Sequence, residues 1–283
     1  MNRFALFAAS AVGILVAVGG AEAKDWKSVT IATEGAYEPW NYVLPDGKLA
    51  GFEVDLAHDL CDRMKVTCTV VQNEWDGMIP ALTAGKFDAI MAGMNITPKR
   101  QEVIAFSNAY AAGPAGFMVS KDSDLAKLPG TGDIFNLSAD DPAAKATIDK
   151  MRAMLKGKTI GVQVATIHAA FVGTYFKDVA TIQEYKTTEQ HDLDLMAGRI
   201  DAAFADDAYF LTTMAKPDGK GLTLAGAEFR GGPIFGRGVG VGMRKDEPEL
   251  KALFDSAIAS AKADGSLKKL QDKWFKLDMM PPA

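Results

Sequence analysis

Residues 82–100, LTAGKFDAIMAGMNITPKR, contain a helix end, a buried strand and a helix start in close succession. Gly85 favours the left-handed conformation that terminates a helix, and the apolar run over 87–92 is typical of a short strand within a sheet. Thr97 and Pro98 then predict a helix start, with threonine as N-cap and proline at the first helical position. This order of elements predicts an α/β fold.

The same helix-to-strand pattern recurs later in the chain. Residues 82–89 (LTAGKFDA) and 195–202 (LMAGRIDA) share the pattern L-x-A-G-[KR]-x-D-A, which indicates either an internal repeat or convergent turn chemistry. Two series of strands and helices surround these copies, so we expect two lobes, each a mostly parallel sheet flanked by helices. The predicted segments are strand 29–33, helix 54–64, strand 67–71, helix 77–83, strand 87–92, strand 159–163, helix 167–176, strand 179–184, helix 189–197, strand 200–205 and helices 247–263 and 266–275.

The amino terminus has the features of a secretory signal peptide. Arg3 precedes an apolar run over 4–18, and an A-x-A site follows at 21–23. The run is shorter than the roughly 20 residues that span a bilayer, which favours cleavage after Ala23 over an uncleaved membrane anchor. We therefore expect an exported, periplasmic protein.

Composition disfavours several classes of function. A formal net charge of −5 disfavours nucleic acid or an anionic membrane as the partner. Three histidines and two cysteines show no metal-ligand spacing, so we expect no metal. The chain has no nucleophile elbow, P-loop or dinucleotide-binding fingerprint, so we expect no cofactor and no catalytic residues.

Cys61 and Cys68 are the only cysteines. Export to an oxidising compartment favours a local disulfide over two unpaired thiols. The bridge would join the end of the helix over 54–64 to the strand that follows it. Closing so short a loop stabilises a fold by about 2–3 kcal/mol in the chain-entropy model.

Arg100 lies where a helix ordinarily disfavours a cation. It falls in the first turn after Thr97, beside the partial positive charge of the free N–H groups. A ligand carboxylate would satisfy both the arginine and these groups. The alternative is an ion pair with Glu102, Asp76 or another acid of the protein, and this segment alone leaves both interpretations open.

The second lobe repeats this arrangement at a strand end, where ligands of open α/β sheets bind. Gln163 ends the strand over 159–163, and Thr166 is a predicted N-cap that leaves the N–H groups of Ile167 and His168 free. His168 could donate to a ligand or merely cap the helix. Two helix starts could thus converge on one carboxylate.

Acidic and aromatic residues follow other predicted strands. Glu34 and Asp206 could accept hydrogen bonds from cationic groups of a ligand, whereas Asp207 is assigned as a solvated cap or turn residue. Tyr37 and Trp75 are candidate aromatic walls for an aliphatic or guanidinium side chain. A ligand with one carboxylate and one or two cationic groups would balance these charges.

The chain resembles the periplasmic amino-acid-binding proteins of ABC importers, in the polar amino acid family (solute-binding protein family 3). That family includes the lysine/arginine/ornithine-, histidine-, octopine- and nopaline-binding proteins. The resemblance spans the mature chain, and its motifs are IATEGAYEPW (31–40), GFEVDL (51–56), ITPKR (96–100), GVQ (161–163) and GVGVG (238–242).

The resemblance implies a type II periplasmic binding protein with two lobes and two hinge crossovers. The implied crossovers lie near 111–116 and 226–236. The implied boundaries are 24–112 and 235–283 for lobe 1 and 113–234 for lobe 2, with a helical insertion at about 122–157.

The resemblance also implies a role for the residues that match its motifs. Arg100 would clamp the α-carboxylate, Asp206 would accept from the α-ammonium, and Glu34 would hold a distal nitrogen. The implied ligand contacts are Glu34, Tyr37, Trp75, Ala92, Gly93, Asn95, Arg100, Gln163, Thr166, Ile167, His168 and Asp206.

The implied function is the substrate-binding component of an ABC importer. It would capture a cationic amino acid of the arginine, lysine, ornithine or histidine type and deliver it, as a monomer, to the membrane permease. Ala92, His168 and the insertion look more like the opine-binding branch, so an octopine- or nopaline-type ligand is the alternative. A dehydratase of cyclic carboxylates, using Asp206 or Glu34 as an acid, is the hypothesis from a different class.

Overall fold

The computed structural model describes residues 24–281, so the predicted signal peptide lies outside the described residues. The strands in chain order are β1 (Ser28–Thr33), β2 (Ala36–Tyr37), β3 (Asn41–Val43), β4 (Leu49–Ala50), β5 (Thr67–Gln72), β6 (Ala89–Ile90), β7 (Ala105–Phe106), β8 (Ala115–Ser120), β9 (Ile134–Asn136), β10 (Thr159–Gln163), β11 (Thr181–Tyr185), β12 (Ala202–Asp206), β13 (Leu222–Arg230) and β14 (Gly242–Met243). The helices are α1 (Phe52–Met64), α2 (Met78–Thr83), α3 (Pro98–Gln101), α4 (Pro142–Leu155), α5 (Ile167–Tyr175), α6 (Thr188–Met196), α7 (Asp207–Ala215), α8 (Gly232–Phe235), α9 (Pro248–Ala263) and α10 (Ser266–Trp274). None of these helices is both long and apolar enough to cross a membrane.

Two sheets form two lobes, which confirms the predicted architecture. The first has the strand order β5-β1-β6-β14-β7 and the second β11-β10-β12-β8-β13-β9, while β2, β3 and β4 form a small sheet. The chain passes to the second sheet between β7 and β8 and returns between β13 and β14. Val239 pairs with both Asn95 and Ala111, so the two crossovers lie side by side. The lobe boundaries at 112/113 and 234/235 stay a prediction.

The sheet of each lobe combines parallel and antiparallel strand pairs. In each lobe the βαβ units give parallel pairs, β1 with β5 and β6, and β10 with β11 and β12. In contrast, β14 runs antiparallel to β6 and β7, and β8 runs antiparallel to β12 and β13. These strands arrive through a crossover, without the helical connection that makes neighbouring strands parallel.

The insertion forms α4 and packs on the second lobe. Asp141 caps this helix by accepting a hydrogen bond from the Ala143 N–H at 2.8 Å. Ile148, Met151 and Leu155 follow at steps of three and four residues, so they share one face of the helix. All three are buried in the core of the second lobe, which the insertion therefore extends.

Cys61 and Cys68 form the predicted disulfide. Their Cα atoms are 6.1 Å apart, within the range that a disulfide can bridge. Because Cys61 lies in α1 and Cys68 in β5, the bond fastens this helix to the edge strand of the first sheet.

Candidate functional site

The two lobes enclose a cavity between them. It is lined by Glu34, Tyr37, Trp75, Ala92, Gly93, Asn95, Arg100, Gln163, Thr166, Ile167 and His168, all predicted ligand contacts. Asp206, the remaining predicted contact, lines an adjoining cavity that shares several of these residues. The structure therefore gathers the predicted set around one cleft, and their contact with a ligand stays a prediction.

Arg100 lies in the first turn of α3, as predicted, with its main-chain N–H donating to Thr97 Oγ1 at 3.2 Å. This helix has only one turn, Pro98–Gln101, so its macrodipole is small. The dipole therefore contributes little to the binding of an anion beside Arg100. The guanidinium donates from Nη1 to the main-chain oxygen of Asn95 at 3.0 Å. Its central carbon also lies 5.2 Å from the ring centre of Trp75.

Arg100 has no anionic partner among the described residues. Among the described contacts, neither Glu102 nor Asp76 pairs with it. Burial lowers the pKa of Arg100 to about 10, and no neighbouring acid offsets that effect. The guanidinium still remains protonated at neutral pH, so a ligand carboxylate would supply the missing charge.

The start of α5 offers further donors to the same cavity. Thr166 Oγ1 accepts from a main-chain N–H of this helix at 3.0 Å, which confirms the predicted N-cap. The N–H groups of Ile167 and His168 have no acceptor within the helix. Burial, and then the nearby His191 and Arg100, lower the pKa of His168 to about 3, so its ring is neutral and can donate or accept a hydrogen bond.

Glu34 is an acidic residue of the same cavity and could bind a cationic group of a ligand. Its Oε1 accepts from Gln163 Nε2 at 2.5 Å, a hydrogen bond that joins the two lobes. The residue is 5% exposed and has no cationic partner among the described residues. Burial raises the pKa of Glu34 to about 7, while the bond from Gln163 opposes the rise. A cationic group beside Glu34 would favour its ionised form.

Asp206 ends β12 and is the N-cap of α7. Its Oδ1 accepts from the N–H groups of Ala208 at 3.0 Å and Tyr209 at 3.4 Å. The same oxygen accepts from Trp40 Nε1 of the first lobe at 3.3 Å. Burial raises the pKa of Asp206 to about 6, against the effect of these bonds. Because every described side-chain hydrogen bond uses Oδ1, Oδ2 can accept from a ligand ammonium.

Glu53, which sequence reasoning missed, fixes one wall of the cavity from behind. It is 1% exposed, and its Oε1 accepts from the Gly93 N–H at 2.7 Å and from the Tyr110 hydroxyl. Its Oε2 accepts from Asn41 Nδ2 at 2.7 Å, and Asn41 Oδ1 accepts from the Gly35 N–H at 2.7 Å. The available signal was an acidic residue between two apolar ones in the motif GFEVDL.

The prediction that Asp207 is a solvated turn residue was wrong. Its side chain is 1% exposed, and burial together with the neighbouring Glu228 raises the pKa of its carboxyl well above the usual range. A Cβ added at Gly116 would lie 2.9 Å from Asp207 Oδ1 and 3.4 Å from Glu228 Cγ, so both acids meet on β8. Sequence position could not show that α7, which begins at Asp207, packs against β8 and β13.

Comparison with known proteins gives consistent matches over the whole described fold. A family model described as bacterial extracellular solute-binding proteins, family 3, matches residues 29–277. The octopine-binding periplasmic protein of Rhizobium meliloti is 47% identical, over 94% of this chain and 96% of that protein. The L-arginine-binding protein of Pseudomonas aeruginosa is 34% identical, over 99% of this chain and 98% of that protein. The crystal structure of a periplasmic His/Glu/Gln/Arg/opine family-binding protein from Silicibacter pomeroyi in complex with lysine is 34% identical, with a TM-score of 0.71 over 90% of this chain and 100% of that one.

Proposed function

Because this chain belongs to the bacterial extracellular solute-binding proteins, family 3, we propose that it captures a cationic amino acid and delivers it to the permease of an ABC importer. The ligand would be of the arginine, lysine, ornithine or histidine type. The observation behind this proposal is the unpaired Arg100 in the same closed cleft as the buried carboxyl of Glu34 and the partly buried carboxyl of Asp206. Buried charges of this kind need partners, which a ligand with one carboxylate and two cationic groups would supply.

In this proposal the ligand spans the cleft. Its α-carboxylate lies against Arg100 and the N–H groups at the start of α5, which are the charge-assisted donors of the cavity. The side chain passes Tyr37 and Trp75 and places its cationic end at Glu34. Aromatic rings favour such an arrangement because they contact methylene groups and attract a cation over their faces.

An opine is the second candidate, favoured by the 47% identity with an octopine-binding protein. In opines the α-nitrogen has a carbon substituent that carries a second carboxylate. This carboxylate needs additional room and a further hydrogen-bond donor. In this binding mode the second carboxylate would lie in the adjoining cavity, beside Gly113 and Ala115. His168 lines both cavities, and its neutral ring has no hydrogen-bond partner among the described residues.

Replacing Asp206 by asparagine separates these two ligands. We expect Asp206→Asn to weaken L-arginine binding by about tenfold, because a charge-assisted bond to the ammonium becomes a neutral one. Octopine, whose nitrogen is already substituted, should lose less than about threefold. Isothermal titration calorimetry of the variant with both ligands measures the difference.

This substitution leaves the fold intact, because asparagine caps helices as well as aspartate does and can still accept from Trp40. Equal losses for L-arginine and octopine would show that Asp206 does not hold the ammonium.

Binding of a cationic ligand should depend on pH through Glu34. The carboxyl, with a pKa of about 7 in the empty cleft, must lose its proton to pair with a cation. The affinity for L-arginine should therefore be greatest above this pKa. It should fall as the pH is lowered through the pKa, by up to about tenfold per pH unit. Titration calorimetry between about pH 6 and about pH 8, in buffers of different ionisation enthalpy, measures the proton released.

Glu34→Gln is the matched control for this pH dependence, since glutamine keeps the shape and cannot ionise. The variant should bind L-arginine weakly and should lose the proton release near pH 7, while release near pH 6, where Asp206 titrates, should remain. If its affinity followed pH as the wild type does, another group would be responsible and the role given to Glu34 would be wrong.

We also propose that the protein is exported with cleavage after Ala23, acts as a monomer and releases its ligand unchanged. The family supports this proposal because its members are extracellular solute-binding proteins. The enzyme hypothesis requires a general acid in the cleft. Asp206 and Glu34 are the candidates, because both have raised pKa values. Mass spectrometry of the ligand after prolonged incubation tests it, and any conversion would contradict our proposal.

A further inference from the structure

Tyr209, which is not among the predicted ligand residues, makes an aromatic contact between the lobes. Its ring stacks on that of Tyr37, with centroids 5.0 Å apart and planes inclined by 16°. Tyr37 belongs to β2 beside the first sheet, whereas Tyr209 belongs to α7 of the second lobe. Such a contact forms only while the lobes are closed.

Hydrogen bonds hold Tyr209 in place for this contact. Its hydroxyl donates to Asp192 Oδ2 at 2.5 Å, and Thr213 Oγ1 donates to the same oxygen at 3.1 Å. Asp192 is 3% exposed and Tyr209 is 2% exposed, so the arrangement is largely shielded from water. A buried hydrogen-bonded carboxylate restricts the ring, because moving the hydroxyl would remove one of the two hydrogen bonds that Asp192 Oδ2 accepts.

A second hydrogen bond joins the same elements across the cleft. Thr188 Oγ1, at the start of α6, donates to the main-chain oxygen of Ala36 at 3.2 Å. Ala36 precedes Tyr37 in β2, and Asp192 lies one turn after Thr188 in α6. The second lobe thus presents two neighbouring helices to this short strand.

The Tyr37 ring also faces the ligand cavity. It lines both cavities of the cleft, and a Cβ added at Gly93 would lie 3.3 Å from its Cε1 atom. A contact that fixes the Tyr37 ring therefore also fixes a wall of the ligand cavity.

We propose that Tyr209, positioned by Asp192, is a latch that stacks on Tyr37 when the lobes close and slows release of the ligand. This inference rests on the proposed function, because it requires a ligand that leaves through opening of the cleft. It assigns Asp192 as a positioning residue and Tyr209 as a determinant of affinity.

A double-mutant cycle on ligand release tests the latch. Stopped-flow fluorescence measures the association and dissociation rate constants for L-arginine and octopine. Tyr209→Leu should raise the dissociation rate constant by about fivefold, as for loss of a stacked aromatic pair, and change the association rate constant by less than about twofold. In a Tyr37→Leu background the same substitution should have no further effect, since its partner ring is already absent.

Two further variants separate the latch from general packing. Tyr209→Phe keeps the ring but loses Asp192, so an intermediate rise in the dissociation rate constant is expected. Tyr185→Leu removes another tyrosine of the second lobe whose hydroxyl donates to a carboxylate, that of Asp194 at 2.7 Å, and should leave release unchanged.

The outcomes distinguish the latch from the proposed function. Normal ligand binding with equal effects of Tyr209→Leu in both backgrounds would overturn the latch and leave the proposed function standing. A wild-type protein that binds neither ligand would contradict the proposed function and the latch with it. Circular dichroism identifies any variant that fails to fold, and Tyr209→Phe then completes the cycle.

Discussion

Replacing Arg100 by alanine is expected to raise the dissociation constant for L-arginine by about 100-fold or more. The guanidinium is the strongest anion-binding group of the cavity, and no described acid competes for it. In the proposed binding mode its loss would remove two charge-assisted hydrogen bonds to the ligand carboxylate, each of about 1.5–3 kcal/mol. Every carboxylate ligand should be affected alike, as measured by titration calorimetry.

Lys99→Ala provides the matched control for Arg100→Ala. Lys99 is the preceding residue of the same short helix and is exposed, so its replacement removes an equal charge outside the cleft. It should alter the dissociation constant by less than about twofold. Retained binding by Arg100→Ala would show that the carboxylate is held elsewhere.

Replacing Glu53 by alanine is expected to lower the free energy of unfolding by about 3–5 kcal/mol. The substitution leaves the Gly93 N–H, the Tyr110 hydroxyl and the Asn41 amide without their acceptor in a buried site. Each unsatisfied donor has a desolvation cost of about 1–3 kcal/mol. Urea denaturation monitored by circular dichroism measures the change.

Glu74→Ala is the control, because Glu74 is exposed and the described hydrogen bonds use only its main-chain oxygen. It should change the free energy of unfolding by no more than about 0.5 kcal/mol. If Glu53→Ala were equally mild, Glu53 would not fix the wall of the cavity. Ligand affinity of Glu53→Ala should also fall, since Gly93 would no longer be held.

Local signals were sufficient to predict many elements. The strand over 159–163 appears as β10 (Thr159–Gln163), and the helix after Thr166 appears as α5 (Ile167–Tyr175). An apolar run and a capping threonine act over a few residues, so a sequence can show them. The strand over 87–92 is shorter, Ala89–Ile90, because the neighbouring strands pair with it only at those two residues.

Contacts between distant segments were not predictable from these signals. Glu53 meets Gly93 forty residues away, and Tyr37 meets Tyr209 in the other lobe. Neither pair has a shared periodicity or motif, because tertiary packing alone brings its members together. The predicted ligand residues gather at one cleft because strand ends converge there, as the rule for α/β sheets requires.

The central claim is that the cleft recognises both ends of an arginine-like ligand. Titration calorimetry of the wild type with L-arginine, agmatine and L-citrulline tests it directly, because agmatine lacks the carboxylate and citrulline has a neutral side chain. We expect L-arginine to bind with one ligand per chain, agmatine to bind about 100-fold more weakly and citrulline about tenfold more weakly. Octopine, in the same titration, should bind at least as well as L-arginine if the adjoining cavity accepts its second carboxylate. Equal affinity for L-arginine and agmatine, or binding of L-glutamate alone, would contradict the account.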